Sequence, residues 1–368
     1  MKRLAVCFIA LGVMTSPRAA APSYVDITWM SVTSVYYEIG PLRILTDGLI
    51  TSLPQSAFFG GGGGLAMTRQ AFKPDVDAVR RVLTALGGPS SVDLLLTGHS
   101  HWDHSFDTAT WSRLTGARIV GAKTTCFQAM AEGLPTDRCT AVYGGERMQL
   151  AEGVTMRVVR WNHSGSSATN PEQHDPVELT TTPRQDPQTG GLRAGVAEDF
   201  PNGGGSRAFL FVIDGPDGRF SWFYDSTASA ADLHVPIVVD GTDYGAPIDN
   251  LKTALEAEQL ESVDLLIANS NSGVPVAQLL VPILKPKAYL PVHWDGVHWA
   301  GPTAFEAGVR RPFAAPALEA FLAKAGVEVI KPSQYMDKWR LDDKGVRPVP
   351  NLNVKQVLGF ASGPRAPQ

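Results

Sequence analysis

The order of apolar and polar positions divides this chain into short strands, helices and two long interruptions. Val25–Met30, Val32–Ile39 and Leu42–Thr46 are rich in β-branched and aromatic residues, and Asp47-Gly48 closes the third run as a turn. Val76, Val79, Val82, Leu83 and Leu86 then recur at helical spacing, with Pro74 and Asp75 suited to a first turn and Gly87 to a stop. Val92–Thr97 reads as a buried strand, residues 105–115 as a helix, and Arg118–Val120 and Val154–Trp161 as further strands. Ala208–Ile213 and Arg219–Tyr224 pair across a turn at 214–218. From there helices and strands alternate: Ile248–Leu260, Val263–Ala268, Val276–Leu284, Ala288–Val292, Ala317–Ala325 and Val327–Ile330. Such a pattern in both halves predicts one α/β domain over 22–345, with two sheets covered outside by helices. Residues 346–368 are expected as a loose tail.

The interruptions carry no such periodicity. One runs through Phe58-Phe59 into five glycines at 60–64, without the strand–turn–helix setting of a nucleotide loop, and is expected as a flap. The other, 164–206, holds five prolines, seven glycines and a single aromatic residue and breaks the pattern of strands and helices. Structureless stretches of that length are uncommon in compact domains and often functional. The loop at 49–72 and the 164–206 insert are therefore candidates for substrate selection; the plain alternative for the insert is a solvated excursion.

Composition narrows the class. With 44% apolar residues in 368, global disorder is excluded. Lys2 and Arg3, the apolar run Leu4–Met14 and Ala19-Ala20-Ala21 have the layout of a secretory signal peptide over 1–21, too short to span a bilayer. Export to the periplasm or beyond is the expectation, and the cleavage point stays open because Arg18 and Pro22 each spoil one candidate. Without that segment 29 basic residues face 36 acidic ones, a net charge of −7. No later stretch is basic enough for a nucleic-acid partner or apolar enough for a transmembrane segment. Oligomeric state is not legible. Cys126 and Cys139 remain, and spacing leaves a disulfide and two free thiols equally open.

The chemistry is concentrated at His99-Ser100-His101-Trp102-Asp103-His104, four metal-ligand candidates in six residues where a buried strand ends. Strand ends deliver side chains to the mouth of an α/β fold, and neutral imidazole with a carboxylate suits zinc and other first-row metals in a hydrolytic site. Chance would place HxHxDH in about two of ten thousand chains of this composition, so a histidine-rich surface turn is a poor account. His163, Asp225 and His293 each follow an apolar strand and supply the further ligands that two metals need. Asp47 could orient a ligand histidine or cap its turn; Trp102 and Trp294 could wall a pocket, with core packing the commoner role. His174, His234 and His298 are read as non-ligands.

With these residues in place, the chain resembles the metallo-β-lactamase-fold hydrolase superfamily, from about Asp26 to His293 and on towards Ile330. The carriers are HSHWDH at 99–104, WNHSG around His163, FYDS around Asp225 and LPVHWD around His293, in that order. The opening ITWMSVTSVYYEIGPLRILTDG looks like the branch containing ascorbate-6-phosphate lactonase and N-acylphosphatidylethanolamine phospholipase D. The resemblance implies a four-layer αβ/βα sandwich with two divalent metal ions: His99, His101 and His163 on the first, Asp103, His104 and His293 on the second, and Asp225 bridging. Zinc is the first expectation, with manganese or iron chemically reasonable. It also implies a shared hydroxide attacking an ester, lactone or phosphodiester of a small, anionic substrate, with Asp103 orienting it. Three alternatives stay open: a β-lactamase, an iron-dependent oxygen or sulfur enzyme on the same fold, and a periplasmic metal-binding protein without turnover.

Overall fold

The structure is a computed structural model that describes residues 20–52, 71–163, 178–188, 190–193, 205–227, 233–270, 274–295, 309 and 315–360. The first half contains β1 (Val25–Ser31), β2 (Ser34–Ile39), β3 (Leu42–Thr46), β4 (Ala71–Phe72), α1 (Val76–Leu86), β5 (Leu94–Leu96) and α2 (Trp102–Ser105). It continues with α3 (Thr108–Thr115), β6 (Arg118–Gly121), α4 (Lys123–Ala131), β7 (Cys139–Ala141), β8 (Arg147–Ala151) and β9 (Val154–Arg160). After β10 (Leu192–Arg193) come β11 (Arg207–Asp214), β12 (Arg219–Asp225), β13 (Val238–Val239), β14 (Thr242–Asp243), α5 (Pro247–Ala257), β15 (Leu265–Asn269), α6 (Val274–Leu284) and β16 (Ala288–Val292). The chain ends through α7 (Ala315–Lys324), β17 (Glu328–Val329), β18 (Asp337–Asp342), β19 (Gly345–Val349) and α8 (Leu352–Val357).

Two large sheets result. One runs β19-β18-β1-β2-β3-β5-β6-β7 and the other β17-β16-β15-β12-β11-β9-β8. Their inner faces meet through aromatic side chains: Tyr37 of β2 lies 5.7 Å from Phe211 and 5.6 Å from Trp222 of the opposite sheet, and those two rings stack at 4.5 Å. Large rings in offset contact bury much apolar area each, so this seam dominates the core. Outside, α5, α6 and α7 cover the far face of the second sheet through Leu251, Leu280 and Leu318, while α3 and α4 lie on the first. The architecture is thus an αβ/βα sandwich of four layers, as the sequence pattern and the resemblance imply.

Strand direction decides where chemistry can gather. β3, β5, β6 and β7 are mutually parallel, as are β12, β15 and β16. β9 reaches the same direction as β12 because β11 is antiparallel to both. The ends at Thr46, Leu96, Arg160, Asp225 and Val292 therefore open on one edge, and the β1–β2 turn at Val32-Thr33 joins them since β2 runs against β3.

Most expected elements fall within a few residues of their observed bounds; three differences have physical causes. The strand expected over Val92–Thr97 is ladder-paired only at Leu94–Leu96, and the 105–115 helix breaks at Phe106-Asp107. There the buried Asp107 carboxylate accepts the backbone N–H groups of Ile50 and Thr51, both at 2.6 Å, which fastens the start of the 49–72 loop. Residues 346–360, expected as part of a loose tail, are not loose: β19 pairs with β18, and α8 buries Lys355 against Asp337 and Gln334 while Phe360 enters the core. A buried lysine is opposite to what an apolar pattern signals, so the partner carboxylate had to be seen. The flap glycines 60–64 lie outside the described residues.

Cys126 and Cys139 form a disulfide between α4 and β7, with Cα atoms 5.4 Å apart, which settles the open pairing. No helix among the described residues is long and apolar enough to cross a membrane.

Candidate metal centre

All seven side chains singled out in the sequence lie at the common edge. His99 and His101 sit in the loop after β5, Asp103 and His104 on α2, His163 just past β9, Asp225 at the end of β12 and His293 just past β16. His99, His101 and His163 each present one ligand atom within 4.8 Å of the other two, with ring centroids 4.6–4.9 Å apart.

The second group is tighter. Asp103 Oδ2 is 3.4 Å from His104 Nε2 and 3.6 Å from His293 Nε2, and the two imidazole nitrogens are 3.4 Å apart. Tetrahedral coordination with bonds of about 2.0–2.2 Å requires ligand atoms about 3.3–3.6 Å from one another. The triangle matches that spacing. His99 links the groups, its ring centroid 3.6 Å from that of His104, and it also lies within 4.8 Å of Asp103 and His104.

Two polar atoms at this edge are buried without a hydrogen-bond partner among the described residues. Asp225 Oδ1 accepts the N–H and hydroxyl of Thr227, both at 2.8 Å, while Oδ2 is buried with no hydrogen-bond partner among the described residues. His99 Nε2 is likewise buried and unmatched, its other ring nitrogen lying 3.0 Å from Ser226 Oγ. Such groups are costly without a partner, and a divalent cation between them would satisfy both. The donor set, imidazole nitrogens and carboxylate oxygens, fits first-row divalent metals.

Burial and neighbouring charges shift four of these groups, in different directions. Burial pushes the Asp225 carboxyl up to about 7 despite the bonds from Thr227. Burial and the neighbouring imidazoles hold His99 far below the ordinary histidine range, so it is neutral and able to ligate. For Asp103 burial acts upward, but His104 and His293 outweigh it and keep the carboxylate ionised well below its usual range. His104 is the converse: burial lowers it, yet Asp103 and Asp47 win and carry it up to about 9.

Asp47 does the first of the two jobs considered for it, and its other oxygen holds the histidine loop rather than its own turn. Its Oδ2 lies 2.8 Å from His104 Nδ1 and its Oδ1 accepts the Gly98 N–H at 2.7 Å, so it orients a ligand ring and fixes the histidine loop. Trp294 is core: it is buried and its indole N–H donates to the Pro332 carbonyl at 3.0 Å. His234 is exposed on the approach to β13, whereas His174 and His298 lie outside the described residues.

Residues that sequence reasoning passed over also shape the centre. Ser226 and Thr227 carry no signal of their own, being small polar residues after a strand. Gly98 could have been noticed: a glycine between strand and ligand loop often marks a close approach. A Cβ there would stand 2.1 Å from Ser226 Oγ. Gly98→Ala is therefore expected to displace Ser226 and loosen His99, costing about 1–3 kcal/mol by overpacking and weakening metal binding. Gly98→Ala combined with Ser226→Ala should recover part of the melting temperature; equal stability of wild type and the single variant, by thermal denaturation, would contradict this.

The two candidate specificity loops meet. β4 pairs antiparallel with β10, and Leu192 of the insert packs with Val32, Leu49, Phe72 and Phe106 beside the ligand loop. Further along, Glu178 binds Arg160 and Arg207, each at 2.8 Å, and accepts the Lys123 N–H at 3.0 Å. The insert is thus docked on the body at Glu178 and at 191–192, while most of 180–188 between them is exposed.

No family model matches the chain, and no curated protein does. Among solved structures it is similar to Igni18, a metallo hydrolase from Ignicoccus hospitalis, at 14% identity over 87% of this chain and 99% of that one, TM-score 0.46. A possible metal-dependent hydrolase from Veillonella parvula aligns at 13% identity over 86% and 98%, TM-score 0.49. YhfI, a metallo-β-lactamase fold protein from Bacillus subtilis, aligns at 10% identity over 86% and 99%, TM-score 0.46. The two facing sheets, with helices outside and a histidine-lined edge, form a four-layer αβ/βα sandwich.

Proposed function

We propose that the protein is an exported, binuclear metal-dependent hydrolase that cleaves an ester, lactone or phosphodiester bond in a small, anionic substrate. The observation that carries this reading is the triangle of Asp103, His104 and His293, spaced for one tetrahedral ion beside a second cluster of three histidines. His99, His101 and His163 would hold the first ion, Asp103, His104 and His293 the second, and Asp225 would reach both. Zinc suits the set best, with manganese or iron as chemical alternatives. When bound, such a pair supplies a Lewis acid and a water acidified towards neutral pH.

The chain's own residues do the rest. Asp103, like His101 and His163, is partly open to solvent, its side chain 17% exposed while that of His104 is 2% exposed. Ionised and facing outward, it can accept a hydrogen bond from an attacking water and fix its direction. Asp225 would compensate the buried positive charge from below, and two carboxylates against two divalent ions leave a surplus that favours an anionic substrate. Through Leu192 the paired β4–β10 segments pack against Val32 and Phe106 near the ligand loop, which supports a role for both loops in selection. Export is favoured by the leader-like 1–21 segment together with the Cys126–Cys139 disulfide, a bond that persists in oxidising compartments.

The test is turnover by the processed protein of bis-p-nitrophenyl phosphate, an ester, a lactone and a cephalosporin, with and without chelator. Chelator-sensitive cleavage of one of the first three is expected. Cleavage of the cephalosporin alone would make the protein a β-lactamase. A redox-active iron without hydrolysis would point to an oxygen or sulfur enzyme, and metal without turnover to a binding protein.

A further inference from the structure

The β1–β2 connection is a two-residue hairpin turn, which calls for positive φ at its first central position, and here a β-branched residue rather than glycine takes it. Val32 has φ +42°, a conformation disfavoured for a β-branched residue, and His293, which donates its backbone N–H to the Val32 carbonyl at 2.7 Å, has φ +54°. Strained backbone of this kind persists only where its surroundings over-determine it. Here the surroundings are visible. The Trp29 indole N–H also donates to the Val32 carbonyl at 3.0 Å, and the Val32 N–H donates to Asp295 Oδ2 at 3.1 Å. The Tyr335 hydroxyl donates to that same Asp295 oxygen at 3.2 Å, with its ring stacked on Trp29.

The next residue faces the other way. Thr33 Oγ1 donates to Asp47 Oδ2 at 2.6 Å and lies 2.7 Å from His104 Nδ1. Its one proton goes to Asp47, so towards the imidazole it can only accept; this keeps a proton on His104 Nδ1 and leaves Nε2 as the ring nitrogen that a metal would take, in place of the second proton. The Tyr224 hydroxyl, 2.8 Å from both Asp47 Oδ2 and the Thr33 carbonyl, closes the ring of contacts. All of Val32, Thr33, Asp47 and Tyr224 are buried.

We propose that Val32-Thr33 is a positioning element that sets His104 of one sheet side and His293 of the other as a matched pair, and so fixes the affinity of the second metal position selectively. The inference rests on the binuclear reading above but concerns residues outside its ligand set. Two adjacent residues hold two ligands that come from different sheets: Val32 through the backbone of His293, Thr33 through the ring of His104. Partners that orient ligand imidazoles change metal affinity by about 10–100-fold when removed.

The experiment titrates zinc into metal-stripped protein against a competing chromogenic chelator, resolving two equivalents. Thr33→Val keeps the shape and removes the hydroxyl; one equivalent should weaken about 10–100-fold with the other unchanged. Thr33→Ser should restore wild-type behaviour. Val32→Gly, which frees the strained backbone at the His293 side, should weaken the same equivalent. Thr28→Val is the control, because Thr28 is equally buried on β1 and its hydroxyl has no partner among the described residues; both equivalents should stay unchanged. Thr33→Val that leaves both affinities unaltered, or weakens both equally, overturns the proposal. Fewer than two equivalents in the wild type would instead overturn the binuclear reading itself.

Discussion

Asp103→Ala is expected to lower turnover by about 10²–10⁴-fold or to undetectable levels, while the metal-stripped variant melts within about 3 °C of the wild type. The separation follows from where the side chain sits. Asp103 is on the short helix α2, partly open to solvent, and its contacts are with the two imidazoles at 3.4 and 3.6 Å rather than with the core. Removing it takes away a ligand and a hydrogen-bond acceptor for water, but little packing. Asp103→Asn refines the test by keeping the shape and losing the charge, and should be nearly as impaired. Wild-type turnover in either variant, measured on whichever chromogenic substrate is cleaved, contradicts the assigned role.

Glu178→Ala should act in the opposite fashion, costing stability first. Its carboxylate lies between the guanidinium groups of Arg160 and Arg207, both almost wholly buried, and also accepts the N–H at the start of α4. Without it, two buried cations face each other with no other carboxylate paired to them among the described residues. Breaking a buried ion pair by removing one partner costs about 3–5 kcal/mol, because the remaining charge stays desolvated. The expected result is a corresponding loss in chemical denaturation, together with release of the insert and easier proteolysis between residues 178 and 193. Glu178→Gln keeps some hydrogen bonds and should fall between. A loss below about 1 kcal/mol, the scale of an exposed ion pair, would show that the insert is not held through this cluster.

How much of this was legible in the sequence depends on the kind of interaction. The alternation of strand and helix patterns gave the layered α/β class because apolar periodicity reports which face is buried, and the HSHWDH cluster announced the ligand edge on its own. His163, Asp225 and His293 were legible only as strand-end residues in the right order; their convergence needed the parallel directions of β9, β12 and β16. Long-range polar contacts were not legible at all. Thr33 is one threonine among many until Asp47 and His104 are beside it, and Glu178 gives no sign within a proline- and glycine-rich stretch that it joins two arginines. α4, whose sequence KTTCFQAMA has no clear apolar stripe, and the strand β18 are stabilised by what packs on them rather than by local pattern. Lys355 misled in the same way, since a charged residue near the C-terminus reads as solvated until its carboxylate partner is found.

The central claim is that two divalent ions share the edge formed by His99, His101, Asp103, His104, His163, Asp225 and His293. Elemental analysis of the purified, processed protein, repeated after chelation and reloading with zinc, tests it most directly. Two divalent metal ions per chain are expected before chelation, none after, and two again on reloading, with turnover lost and regained in step. One ion per chain under every condition, or full turnover with none, would contradict it.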